Sequence, residues 1–227
     1  MKVLLIGEEN RRLELKSILP ENSQIVEADI AFEIDLNALP EFDVVFDLNA
    51  DEDTSIIDEY PFDRPVTIIA SAVKNSLAAM IDGLEYEGGI FGMNCLPTFI
   101  DRPIKEVSVY DESDIPALRE LMGKLGWEFH LVNDRVGMVT PRVICMIINE
   151  ACFTVQEGTA NMADIDKSMQ LGTAYPYGPF TWSDKIGIKD VFEVLDAMYE
   201  DTKDERYKVC PLLKTHYLKE KPFYEPA

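Results

Sequence analysis

From Ser17 to Asp63 the chain has neither lysine nor arginine, although aspartate and glutamate recur throughout the stretch. This segment has no side-chain cation with which to hold a phosphate, and its carboxylates are expected on a solvated face. Over the whole sequence 42 acidic residues against 21 basic ones leave a formal charge of −21. That balance excludes nucleic acid, whose binding depends on cations that displace phosphate counterions, and argues against an anionic membrane surface. Histidine is scarce: His130 and His216 are the only two, so few side chains titrate near neutrality. The four cysteines, Cys95, Cys145, Cys152 and Cys210, form no CxxC or CxxH pair. Buried thiols in a reducing cytoplasm are expected, rather than a metal site or a disulfide. There is no apolar run long enough to cross a bilayer and no charged-then-apolar leader, so the chain is expected neither to span a membrane nor to be secreted.

What is present divides in two. A hydrophobic content of 47% over 227 residues is ample for one large core or two small ones. Up to Val136, apolar runs at 2–7, 23–27, 43–48, 66–70, 90–93, 106–110 and 127–132 read as strands. Helical patterns at 10–19, 71–80 and 113–123 alternate with them, which predicts an α/β fold with a doubly wound parallel sheet. In a dinucleotide-binding sheet the first turn reads G-x-G-x-x-G, where glycines let the backbone approach a pyrophosphate at a helix N-terminus. Here it reads Gly7-Glu8-Glu9-Asn10-Arg11-Arg12. Only the first glycine is there, followed by two carboxylates, and Arg11 and Arg12 read as surface charges of the helix. Gly7 is the candidate for cofactor approach, and Glu27, with Asp29 as the alternative, for a ribose contact at the end of the second strand. Beyond Val136 a long apolar helix, a turn at Gly158, a second helix over 162–171 and a Gly/Pro-rich corner follow. An amphipathic helix at 189–202 and a last one from Pro211 complete the chain. The expected domains are 1–136 and 137–227.

The second domain carries ordered motifs: Gly137, Arg142, Asn149-Glu150-Ala151, Glu157-Gly158, Asp164-Ile165-Asp166, Met169, Leu171-Gly172, Tyr175-Pro176, Gly178-Pro179-Phe180, Asp184 and Gly187. In this order they resemble the C-terminal domain of the 3-hydroxyacyl-CoA dehydrogenases. The resemblance implies a Rossmann-like sheet followed by an all-α dimerisation domain, with NAD as cofactor, acyl-CoA as ligand and a homodimer as the assembly. The first domain is shorter than the family's, without the helical insertion between the second and third strands that helps cover CoA. Phe223-Tyr224 is similar to the family's G-F-Y ending, with Pro222 in the glycine's place.

The resemblance also assigns chemistry. Family members use a histidine in a motif like G-x-H-F-F-N-P as general base, oriented by a glutamate twelve positions on. Here the motif falls on Gly92-Met93-Asn94-Cys95-Leu96-Pro97-Thr98, so the histidine position is Asn94 and the glutamate is Glu106. An amide hydrogen-bonds a carbonyl but takes no proton at any relevant pH. Pro141 stands where the family has a substrate-placing asparagine, and Asn75 or Ser76 falls on the loop whose serine binds the substrate oxygen. Three readings follow. The first is a dimeric homologue without ordinary NAD-dependent dehydrogenation that serves in binding or regulation. The second is an oxidoreductase of acyl-CoA metabolism with Glu106 as base, which requires burial to raise its pKa. The third is another small-molecule activity, such as hydration or binding of a β-keto acid.

Overall fold

The computed structural model describes residues 1–61 and 63–224, the side chain of Phe32 excepted. The chain divides into two compact units, Met1–Met138 and Val139–Ala227.

Among the described residues of the first unit, seven strands form one sheet: β1 (Lys2–Ile6), β2 (Gln24–Ala28), β3 (Val44–Asp47), β4 (Val66–Ser71), β5 (Gly88–Met93), β6 (Ile104–Val109) and β7 (Glu128–Leu131). Their order is β2-β1-β3-β4-β5-β6-β7. Successive side chains of a strand point to opposite faces, so β1 feeds two cores. Val3 and Leu5 join Leu15 and Leu19, and also Leu118, Leu121, Met122 and Leu125, beneath helices α1 (Glu9–Lys16) and α3 (Ile115–Leu125). Leu4 and Ile6 join Leu39, Ile57, Leu77 and Met80 on the other face. That face is covered by short 3-10 turns and by α2 (Leu77–Met80), a single turn where a longer helix over 71–80 was expected. Between β2 and β3 there are two 3-10 turns and no α-helix, in line with the short connection read from the sequence.

Two strands depart from the expected parallel sheet: β6 runs antiparallel to β5, pairing Phe91 with Val109 and Met93 with Val107, and β7, parallel to β6, shares its direction. The link between them has no crossover helix, and a parallel return needs a dozen or more connecting residues, usually including one. The remaining neighbours pair in parallel.

The second unit is helical: α4 (Thr140–Gln156), α5 (Met162–Thr173), α6 (Pro179–Ile186), α7 (Ile188–Thr202) and α8 (Pro211–Leu218). Pro141 sits in the first turn of α4, where its missing N–H is no loss. Ile144, Cys145, Ile148, Ala151 and Cys152 fall on the buried face of α4 at helical spacing. All four cysteines are free and buried. The Gly/Pro-rich corner holds a helix, α6, that the sequence pattern did not indicate. Its cap lies in another helix: the Asp166 carboxylate accepts the Phe180 N–H at 2.8 Å, the Thr181 N–H at 3.0 Å and the Thr181 hydroxyl at 2.7 Å. Gly178 is required there, since a Cβ on it would lie 2.3 Å from the Cβ of Asp166. Among the described residues no helix is long and apolar enough to cross a membrane.

Candidate functional site

β1 has β2 on one side and β3 on the other, so the direction of sheet growth reverses at its C-terminal end. In open α/β sheets such a switch point opens the crevice where ligands bind. Its walls here are the turn Gly7–Arg12 after β1, the loop Leu48–Asp53 after β3 and the loop Ala72–Ser76 after β4.

These walls are bonded to one another. The Glu8 N–H donates to Asn49 Oδ1 at 3.2 Å, and the Arg11 N–H donates to Asn10 Oδ1 at 2.7 Å. Arg11 and Arg12 were expected on the helix surface, yet their relative exposures are 0% and 9%. Arg11 runs inward because the loop after β3 offers it acceptors: Leu48 O at 2.6 Å and Glu52 Oε1 at 3.0 Å. Glu52 also meets Lys74 Nζ at 3.3 Å. Arg12 is drawn to the end of β2, 2.5 Å from Asp29 and 3.6 Å from Glu27, while Lys16 Nζ lies 2.6 Å from Glu27. Glu27, the sequence candidate for a ribose, is thus engaged by two cations of α1. Two amide N–H groups of the turn already have acceptors, and two carboxylates flank it. These residues do not fit the pyrophosphate of NAD.

The acidic stretch is solvated over much of its length, with two exceptions that sequence reasoning missed. Asp47 and Asp51 are each 2% exposed. Asp51 Oδ2 accepts the N–H groups of Val73 and Lys74 at 2.7 and 2.8 Å, which fixes the loop after β4. Asp47 accepts the Tyr60 hydroxyl at 2.5 Å and the Asn49 N–H at 3.2 Å. Burial pushes its carboxyl up to about 6, against the opposing pull of those two bonds. Burial also pushes the Cys95 thiol far above its usual range, so this thiol is an inert core group. The signal available in the sequence was the run Asn49-Ala50-Asp51-Glu52-Asp53 directly after an apolar strand, a pattern rich in residues that bond backbone N–H groups.

The sequence candidates for chemistry sit as follows. Asn94 is 4% exposed, and its side-chain oxygen accepts the Leu96 N–H at 3.3 Å. Its own N–H donates to Glu106 O at 3.2 Å, one residue past the last β5–β6 pair, Met93 with Val107. The structure therefore brings this pair together, with Glu106 half-buried. His130 is the β7 neighbour of Glu106 in register and is exposed. The loop that follows Asn94 is pinned at Thr98, which has a φ of 72°. Its N–H reaches both oxygens of Glu14 on α1, at 2.8 and 2.9 Å. Asn75 Nδ2 donates to Asp51 O at 3.0 Å, and Ser76 Oγ caps α2 by accepting the Ala79 N–H at 3.2 Å. Both have structural partners, and neither is brought to Asn94 by a hydrogen bond. In the helical unit His216 Nδ1 lies 2.9 Å from Lys221 O, and its ring stacks on Phe223 at 4.3 Å.

The other motif residues of the helical unit close joints. Asn149 donates to Lys208 O at 2.9 Å and accepts the Cys210 N–H at 2.8 Å, fixing the start of α8. Asp184 accepts the N–H groups of Phe223 and Tyr224 at 2.8 and 2.9 Å. Arg142 donates to the Tyr207 hydroxyl.

The chain thus joins a seven-stranded sheet, with a crevice at its switch point, to a helical unit that follows it in sequence. Residues 137–222 match the family described as 3-hydroxyacyl-CoA dehydrogenase, C-terminal domain. The chain is 31% identical over 154 residues to the 3-hydroxybutyryl-CoA dehydrogenase of Bradyrhizobium diazoefficiens, covering 66% of this chain and 53% of that protein. It is 33% identical over 159 residues to the probable 3-hydroxybutyryl-CoA dehydrogenase of Bacillus subtilis, covering 67% and 54%. The chain thus spans about half the length of the curated relatives it matches. Its fold is that of the crystal structure of M. tuberculosis FadB2, with a TM-score of 0.76, 20% identity and coverage of 99% and 98%. The helical unit is a C-terminal domain of the 3-hydroxyacyl-CoA dehydrogenase family.

Proposed function

We propose that this chain is a member of the family without ordinary NAD-dependent dehydrogenation, acting as a dimeric binding or regulatory protein in the cytoplasm with acyl-CoA as the candidate ligand. The observation that carries the reading is Asn94. At the position of the family's base stands an amide whose oxygen is already bonded to the Leu96 N–H, and no amide accepts a proton from a substrate hydroxyl. The bonded walls of the first turn support it, because hydride transfer also needs a bound nicotinamide. The test is NADH oxidation with acetoacetyl-CoA, together with thermal shifts against each compound. No turnover and no NADH shift are expected, and a shift with acetoacetyl-CoA identifies the binder.

The second reading, an active oxidoreductase with Glu106 as base, draws on one observation: Glu106 accepts the Asn94 N–H through its backbone oxygen and is half-buried. It requires turnover in the native protein that disappears in Glu106→Gln. The first reading predicts the same background rate in both.

The dimer is supported by the outer side of α4. Val139 and Val143 are about half exposed, and Val143, Met146, Ile147 and Phe153 line a groove of about 530 Å³. With the opposite face of α4 already in the core, a helix apolar on both sides calls for a second packing partner. Val143→Asp is expected to shift the solution mass from twice 25.7 kDa to 25.7 kDa, measured by light scattering.

A further inference from the structure

We infer that Asn49 is a built-in stand-in for the phosphate that a first turn of this kind otherwise receives, and that it latches the turn after β1 to the loop after β3. The inference deepens the reading above and rests on it for the absence of a bound nicotinamide. Gly7 keeps the open backbone of a ligand-approach turn, with a φ of +133°. A Cβ on Gly7 would lie 2.6 Å from Asn49 Oδ1 and 2.9 Å from Leu48 Cβ. The glycine therefore still permits a close approach, and what approaches is the chain's own amide.

The chemistry of the replacement follows from the charges. Glu8 and Glu9 follow Gly7 directly and put two exposed carboxylates on this turn, whose charge opposes an anion there. A neutral amide oxygen satisfies the same N–H without that repulsion. Asn49 Oδ1 does so for Glu8 at 3.2 Å, and Asn10 Oδ1 does so for Arg11 at 2.7 Å. The stand-in is itself held: the Asn49 N–H donates to Asp47 Oδ1 at 3.2 Å, and Tyr60 donates to the other Asp47 oxygen at 2.5 Å. A second tie comes from Arg11, which binds Leu48 O and Glu52. Turn and loop are joined by Asn49 and again by Arg11, so the latch shuts the switch point to dinucleotides and other pyrophosphates.

The test is amide hydrogen exchange at Glu8, followed by NMR on the full chain, in the native protein and in Asn49→Ala. The expected result is protection in the native protein and exchange at least tenfold faster in the variant, with no shift of the Gly7–Asn10 amides on adding millimolar NADH to the native protein. Should Asn49→Ala fail to fold, Asn49→Gly gives the same readout. Equal exchange at Glu8 in native and variant protein overturns the latch, as does an NADH-dependent shift of these amides in the native protein. An NADH-dependent shift would refute both readings, turnover with acetoacetyl-CoA the one in the previous section, and equal exchange without an NADH shift the latch alone, so the failures are distinguishable.

Discussion

In the helical unit Asn149, Asp166 and Asp184 have the residue types of the family motif, and each uses its side chain to close a joint between segments far apart in sequence. At the strand ends of the sheet, the positions proposed for cofactor and proton transfer carry other residues than the motif. The polar groups there bond one another: Asn49 to Glu8, Arg11 to Glu52, Arg12 to Asp29, Asn94 to Leu96. A family signature can therefore be intact where it specifies folding and altered where it specifies chemistry. Membership of the family alone does not carry the activity.

Three substitutions sharpen this contrast. Asp166→Ala removes three acceptor bonds from the start of α6 at a nearly buried position. A loss of about 3 kcal/mol is expected, given the usual value of a cap and of charge-assisted bonds. Urea unfolding followed by the fluorescence of Trp182, which lies in α6, measures it. A loss well under 1 kcal/mol would break the claim that the motif aspartate is a folding residue.

The next effect lies at the strand ends. Burial raises the Asp47 carboxyl from the usual 3.8 to about 6. Because the folded value is the higher one, the stability linked to this group is fully present below pH 3.8 and is lost as pH rises through about 6. A shift of this size corresponds to at most about 3 kcal/mol. Asp47→Asn lacks that loss, so it should equal or exceed the native protein in stability at pH 8 and fall closer to it near pH 4. Unfolding curves at the two pH values check this, and an advantage of the variant confined to low pH would contradict it. The smallest effect belongs to Asn149→Ala, which leaves Lys208 O and the Cys210 N–H without their amide partner. About 2 kcal/mol is expected, with the acetoacetyl-CoA response unchanged in a thermal-shift titration.

The alternation of apolar runs and helical periods makes the two units legible in the sequence, and the ordered motifs make the helical unit recognisable. The corner at Pro179 reads as a turn because its cap, Asp166, lies in a preceding helix and contributes nothing to a local pattern. The antiparallel β6 escapes because strand direction is set by the length and content of a connection, whereas periodicity is the same in both directions. At the candidate site, the motif puts Asn94 and Glu106 forward as candidates, and the structure joins them through the bond from the Asn94 N–H to Glu106 O. The latch is not, since Arg11 next to Arg12 on a short helix has the pattern of a solvated surface. Its burial depends on acceptors supplied by Leu48 and Glu52, some forty positions away.

The central claim is that an amide at position 94 leaves this scaffold without dehydrogenation. It is tested most directly by following NADH absorbance with acetoacetyl-CoA in the native protein and in Glu106→Gln. The account predicts no rate above background in either. A native rate that vanishes in Glu106→Gln would contradict it and make Glu106 the base.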